Sequence, residues 1–186
     1  MANKDAAFGL KSIGKVGQNR DNQGLSEYDI AASATAIYQN DPVKMLNTGT
    51  IGVAAATDVL LGSLNGVFFT DATTSKPTFA NNLKASNTAS DIVGFISDDP
   101  YERFEVQSAG TPAQTNIGNC ADIVYAAGSA PNYVSKVEAS GTMANTAAQL
   151  KIIGVSKDPD NNELGSANTN LVVTINEHFL KQTAGV

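Results

Sequence analysis

The chain has 186 residues, a net charge of −6 at pH 7, 42% hydrophobic residues and only 16% charged residues. That length can bury one good core or two small ones. The low charge, with many Ala, Asn, Thr, Ser and Gly residues, argues against a helical bundle and favours a β-rich, turn-rich protein. No run of 18 apolar residues occurs, so the sequence predicts no membrane-spanning helix.

The basic residues are concentrated at the N-terminus. Residues 1–20 carry a net charge of +3, whereas residues 21–186 hold 8 basic and 17 acidic groups, a net of −9. An acidic body repels phosphate, so we expect neither nucleic acid nor a membrane as a partner. The basic, glycine-spaced segment predicts an extended N-terminal arm at 1–24, followed by one β-rich domain at 25–186.

After the arm, alternating or β-branched apolar runs recur, as is typical of short strands. Weak helical signals at 57–64 and 81–90 predict a turn or two of helix. We therefore expect a mainly all-β fold, a short-stranded antiparallel barrel or sandwich with an extended N-terminal arm and little helix, with two small lobes left open. The predicted turns are 40–42, 65–66, 98–100 and 158–161. The predicted strands are 28–32, 35–38, 43–46, 51–55, 66–70, 91–96, 103–107, 122–126, 133–138, 149–155 and 171–176.

The residues that usually carry catalysis are scarce. His178 is the one histidine, so a single chain cannot form a multi-histidine metal site, and no serine lies in a G-x-S-x-G motif. We interpret His178 as an ordinary histidine at a strand end. The single Cys120 cannot form an internal disulfide and is interpreted as a small hydrophobic residue.

Two acidic clusters also have simple structural interpretations. The segment 158–163 lacks the glycine and glutamate that a calcium loop requires at its sixth and twelfth positions, and a tight acidic turn explains it. The carboxylates within 98–105 are interpreted as solvated groups at a turn, because the chain has no tryptophan to bind sugars beside them. We therefore predict no enzyme, and assign no catalytic, cofactor-binding or metal residues.

Several stretches, in order, resemble a family of tailed-bacteriophage virion structural proteins, encoded beside the major capsid protein and taken to be head decoration or cement proteins. Two departures from the family pattern fall at turn or arm positions: Ser12, where a proline is often found nearby, and Asn40, where glycine is usual. The matching stretches are AAFGLKSIGKVGQNRDNQG, YDIAASATAIYQNDPVKML, VGFISDDPYERFEVQ, IGNCADIVYAAGSAPNYVSKVE, AAQLKIIGVSKDPDNNELGSANTNLVVTIN and EHFLK.

The resemblance implies a protein made in the host bacterial cytoplasm that binds the outer capsid surface of the virion and cements capsomer joints. Its expected partners are the phage major capsid protein and itself, as a homotrimer, with a dimer left open. The alternative is a head-fibre, tail or adhesin module that recognises a host surface glycan. No cofactor is expected. The residues we expect to contact the capsid lie along the arm: Lys4, Phe8, Leu10, Lys11, Ile13, Lys15, Val16 and Arg20.

Overall fold

The computed structural model describes residues 3–17, 24–183 and 185, and almost all regular structure in them is β. Two short 3-10 turns, Gln114–Asn116 and Phe179–Lys181, accompany the strands, and no helix in the described ranges is long and apolar enough to cross a membrane. The strands are β1 (Lys11–Lys15), β2 (Ser26–Asp29), β3 (Pro42–Met45), β4 (Ile51–Val53), β5 (Gly62–Thr70), β6 (Pro77–Ala80), β7 (Val93–Ser97), β8 (Glu102–Gln107), β9 (Cys120–Ala121), β10 (Ile123–Val124), β11 (Glu138–Ala139), β12 (Leu150–Val155) and β13 (Asn170–Ile175).

These strands form two main antiparallel sheets that pack as a sandwich, which settles the choice left open between barrel and sandwich. One sheet has the order β1-β8-β13-β12-β9, and the other has the order β2-β7-β5-β3-β4 with β6 paired to β5. A small ribbon of β10 and β11 completes the fold. The all-β prediction with little helix is confirmed.

Two hydrophobic clusters fill the interior, one beneath each sheet. Leu60 lies in the first cluster and its neighbour Leu61 in the second, and both are fully buried. Successive side chains of an extended segment point in opposite directions, so one dipeptide serves both clusters. Phe104, from the centre of β8, is the largest fully buried side chain of the first cluster.

Both weak helical expectations are wrong. Residues 57–64 make a turn, in which Asp58 N–H donates to the Ala55 carbonyl, and then enter β5 at Gly62. Residues 81–90 are irregular because Leu83 exchanges backbone hydrogen bonds with Ile37, which no local helix permits. In both segments, pairing with distant strands outweighs a weak local propensity.

One predicted turn and two predicted strands have different structures from those expected. The predicted turn at 65–66 lies inside β5, where the register shifts between Leu64 and Gly66 as a β-bulge. The glycine that led us to predict a turn is also typical of a β-bulge inside a strand. The predicted strands at 35–38 and 133–138 contribute mainly isolated bridges, including Ile37 to Leu83 and Gln39 to Val134.

Candidate functional site

The beginning of the arm is tied to the body by side-chain amides. The Asn161 Nδ2 group donates to the Lys4 carbonyl at 2.7 Å, and its Oδ1 accepts from the Lys4 N–H at 3.3 Å. Gln107 Nε2 donates to the same carbonyl at 2.9 Å, and Gln107 Oε1 accepts from the Ala6 N–H at 3.0 Å. Asn3 donates in turn to the carbonyl of Ala167 at 3.0 Å. The start of the arm therefore lies along its own domain.

The next part of the arm enters the core. Leu10 is fully buried in the first hydrophobic cluster, its N–H donates to the Asn40 carbonyl at 2.9 Å, and its carbonyl accepts from Ser63 Oγ at 2.6 Å. Leu10 therefore packs in the hydrophobic core of its own chain. We had expected it to contact the capsid, but in this structure its side chain is fully buried. Phe8 is half-buried beside it.

From Lys11 onward the arm is an edge strand. β1 pairs with β8, with Lys11 opposite Glu105 and Lys15 opposite Glu102, and a bulge lies between Ser12 and Gly14. Ser12 donates its hydroxyl to the Glu102 carboxylate. Among the described residues, nothing pairs with the outer edge of β1.

The exposed side chains of this edge include two of the predicted contact residues. Ile13 is 40% exposed and Val16 is 48% exposed. Three further apolar side chains, which the sequence analysis did not single out, lie close by: Leu25, Tyr101 and Leu180. Leu25 and Leu180 line an open cavity of about 390 Å³ together with Lys15, and the Val16 N–H donates to the Tyr101 carbonyl at 2.9 Å. We use the name arm-edge patch for these exposed apolar side chains, namely Ile13 and Val16 of the arm together with Leu25, Tyr101 and Leu180.

Three predicted cationic contacts already have partners within the chain. Lys4 forms an ion pair with Asp160, and Lys11 Nζ lies 3.6 Å from Glu105 Oε2. Lys15 Nζ lies 2.6 Å from Asp99 Oδ2, with only 14% of the lysine side chain exposed, and the hydrogen bond raises the pKa of Lys15. Arg20 lies outside the described residues. Exposed pairs such as that of Lys4 contribute little and can exchange for a partner's carboxylate at low cost.

We had expected the acidic residues that follow β7 to be solvated, but several of them are buried or hydrogen-bonded within the protein. Asp98 accepts hydrogen bonds from Ser26 Oγ at 2.8 Å and Tyr28 Oη at 2.7 Å. Glu102 is 1% exposed and burial raises its pKa, while Glu105 is 8% exposed. Because a buried carboxylate requires hydrogen-bond or charge partners, these residues hold β1 and β2 to the body.

His178 has a structural role at the junction of these elements. It is fully buried, and its Nδ1 accepts the Leu180 N–H at 3.1 Å, which caps the 3-10 turn that carries Leu180. Its Nε2 is buried without a hydrogen-bond partner in the described part of the chain. Burial lowers the pKa of His178 to about 4. The imidazole is therefore neutral at physiological pH.

A second apolar surface lies on the solvent face of the other sheet. Phe79 is 74% exposed, with its ring centroid 4.8 Å from that of Phe68 and 6.4 Å from that of Phe95. Cross-strand pairing of β5 with β6 and β7 brings the three rings together. The sequence analysis did not single out Phe79, whose ring is the most exposed of the three.

The described residues contain no group of three or more His, Cys, Asp or Glu side chains that could hold a metal ion. The acidic segment 158–163 forms a turn, in which Asn161 N–H donates to the Asp158 carbonyl at 3.2 Å. In comparisons with known proteins, no family model, no curated protein and no solved structure matches the chain.

Proposed function

We propose that this protein is a non-enzymatic structural component of a tailed-phage virion, which binds the outer surface of the icosahedral head and cements capsomer joints. The observation that carries this proposal is the arm-edge patch beside the outer edge of β1, with which no other described strand pairs. The ordered resemblance of the sequence to head decoration proteins supplies the partner, the major capsid protein.

The geometry supports one way of binding. An unpaired edge strand presents backbone N–H and C=O groups at which an extended segment of another protein can add as a further strand. Ile13 and Val16 would then supply apolar contacts, and the exposed pairs of Lys4 and Lys11 would supply charges that exchange with capsid carboxylates. Many weak contacts repeated over a symmetric shell produce strong overall attachment.

The test is co-sedimentation of the purified protein with expanded heads that lack it, comparing two matched variants. Ile13→Asp places a charge on the arm edge, and Ile153→Asp places the same charge on β12, at a side chain that is likewise 40% exposed. Deletion of residues 2–20 is a poor test because it removes Leu10 from the core.

Loss of head binding by Ile13→Asp, with wild-type binding by Ile153→Asp, supports the proposal. If both variants bind heads equally well, the arm edge is not part of the interface with the capsid. Failure of the wild-type protein to bind heads would overturn the cement role and favour the head-fibre, tail or adhesin alternative. The ratio of bound copies to capsid protein would show whether three-fold sites, and therefore a homotrimer, are used.

A further inference from the structure

Three phenylalanine rings and one valine form an apolar group on the solvent face of the sheet that contains β5, β6 and β7. Strand register places Phe79 opposite Phe68, and Phe68 opposite Val93. The ring of Phe95 is stacked relative to that of Phe79, with the centroids 6.4 Å apart. The two hydrophobic clusters of the interior are built from other side chains and include none of these four. Grouped apolar side chains that lie outside a protein's own core are typical of an interaction surface.

Three carboxylates flank these rings. In the pairing of β2 with β7, Glu27 lies opposite Phe95 and Asp29 lies opposite Val93, and residues directly opposite one another share a face of the sheet. At the end of β5, Asp91 accepts a backbone N–H at 3.0 Å, and hydrogen bonds from the same residue lower the pKa of Asp91. All three carboxylates are exposed, and none forms an ion pair with another described residue. Their charge is therefore available to a partner.

The same charges argue against a second copy as the occupant of this face. Residues 21–186 carry 8 basic and 17 acidic groups, and two identical faces in contact would bring the carboxylates of both copies into one interface. Like charges held close together cost free energy. The lysine nearest to Phe79 along the chain, Lys76, falls on the side of Thr78 by the alternation of strand residues. A positively charged partner, in contrast, is attracted by all three carboxylates.

The spacing of rings and carboxylates indicates the shape of the partner. The row from Phe79 on β6 to Asp29 on β2 crosses β5 and β7, a distance of about 14 Å at about 4.8 Å between neighbouring strands. An extended segment of about five residues covers the same distance and presents its first, third and fifth side chains on one face. Arginine suits these positions, because a guanidinium group stacks on a phenyl ring and also pairs with carboxylates.

We propose that this surface docks an extended, arginine-bearing segment of another protein. We call it the acidic aromatic face and define it by Phe68, Phe79, Phe95, Glu27, Asp29 and Asp91. Guanidinium groups of the partner stack on the exposed rings, and their charges pair with the flanking carboxylates. The inference does not depend on the capsid-binding role proposed above, because the face belongs to a different sheet from β1.

The experiment is an NMR titration of the full-length protein with a five-residue peptide of alternating arginine and valine, capped at both ends and beginning and ending with arginine. A peptide of the same pattern with glutamate in place of arginine is the charge control. We expect the arginine peptide to shift the phenylalanine ring signals with a Kd of about 1 mM or tighter, and the glutamate peptide to leave them unchanged. Added salt should weaken the binding, because the carboxylates are exposed.

Three variants locate the binding site. Phe79→Ala removes the most exposed ring and Asp29→Asn removes one charge, whereas Tyr101→Ala removes a 63% exposed ring from the arm-edge patch as the matched control. We expect the Kd to rise about threefold in Phe79→Ala, the effect of losing one exposed cation–π contact. It should rise about twofold in Asp29→Asn and stay unchanged in Tyr101→Ala.

Three outcomes would overturn the proposal. The first is that the arginine peptide causes no shift at concentrations up to about 5 mM. The second is that Phe79→Ala and Tyr101→Ala change its Kd equally, which would mean attraction by the overall charge alone. The third comes from sedimentation velocity: self-association of the wild type that Phe79→Ala abolishes would make a second copy the occupant. If Phe79→Ala does not fold, the comparison of Asp29→Asn with Tyr101→Ala decides. No phage head is used, so these outcomes are separate from those of the head-binding test.

Discussion

The side-chain amide of Asn40 donates a 3.0 Å hydrogen bond to the carbonyl of Phe8, and this contact joins the arm to the start of β3. The backbone of Asn40 has a positive φ of 65°, a conformation that asparagine tolerates better than most residues. Its own carbonyl accepts the Leu10 N–H at 2.9 Å. Asn40 therefore adopts a backbone shape that favours glycine and also adds a side-chain hydrogen bond to the arm.

Replacing Asn40 should loosen the arm. Asn40→Ala removes the amide and places a less tolerant residue at positive φ, so we expect the free energy of unfolding in urea to fall by about 1–2 kcal/mol. Asn40→Gly keeps the backbone shape and loses only the bond, and its loss should be smaller. Equal stability of Asn40→Ala and wild type would show that this junction contributes nothing.

Gly9 provides a sharper test of the same junction. It has a φ of 77°, and a β-carbon there would lie 2.3 Å from the Asn40 carbonyl oxygen. Gly9→Ala should therefore destabilise the protein by more than about 2 kcal/mol and speed hydrogen exchange at the Leu10 amide. Gly17→Ala is the matched control, because Gly17 has a similar φ of 73° and a β-carbon there would have no described atom within 4 Å, so only the conformational cost of about 1 kcal/mol applies. Similar losses in both variants would argue against close packing at Gly9.

His178 should make stability depend on pH. Burial lowers its pKa from 6.5 to about 4, so the unfolded chain binds a proton more readily between these values. The neutral imidazole therefore contributes about 2–3 kcal/mol to the free energy of unfolding. This contribution is fully present above pH 6.5 and is lost as the pH falls through 4. We expect the stability difference between wild type and His178→Gln, measured by urea unfolding, to shift by this amount from pH 7 to pH 4. A constant difference would contradict the buried neutral imidazole.

Asp41 should act in the opposite direction. It is fully buried, its Oδ2 accepts the Tyr38 N–H at 2.8 Å, and desolvation raises its pKa from 3.8 to about 6. The folded protein then binds the extra proton, so the contribution of Asp41 is fully present below pH 3.8 and is lost as the pH rises through 6. The stability of wild type relative to Asp41→Asn should fall by about 2–3 kcal/mol from pH 4 to pH 7. If this difference did not change with pH, the folded protein would hold the charged Asp41 carboxylate without an energetic cost, which would contradict the raised pKa.

Two phenylalanines should respond very differently to truncation. Phe104 is fully buried, so Phe104→Ala should cost about 3–5 kcal/mol of unfolding free energy. Phe79 is 74% exposed and contacts mainly Phe68, so Phe79→Ala should cost about 1 kcal/mol or less. Denaturation curves of the two variants measure this contrast directly. A large loss for Phe79→Ala would mean that the ring is covered in solution, for example by a second copy.

Much of the β character was available from sequence. Alternating apolar residues predicted strands near β3, β4, β7, β8, β12 and β13, because a two-residue period puts one face of each strand in the core. The apolar character of Ile13 and Val16 within a polar arm also led to their choice as candidate contact residues, and that choice stays a prediction. Local composition sufficed for these predictions.

The sequence by itself determined an all-β chain with a basic arm and an acidic body, since period and charge are local properties. Only the tertiary structure decided that the arm lies in its own sheet, because β1 pairs with β8, some 90 residues away. Tertiary contacts also buried Leu10 and exposed Phe79. Which face of a residue meets water depends on which distant segments pack against it, and no local pattern records that choice.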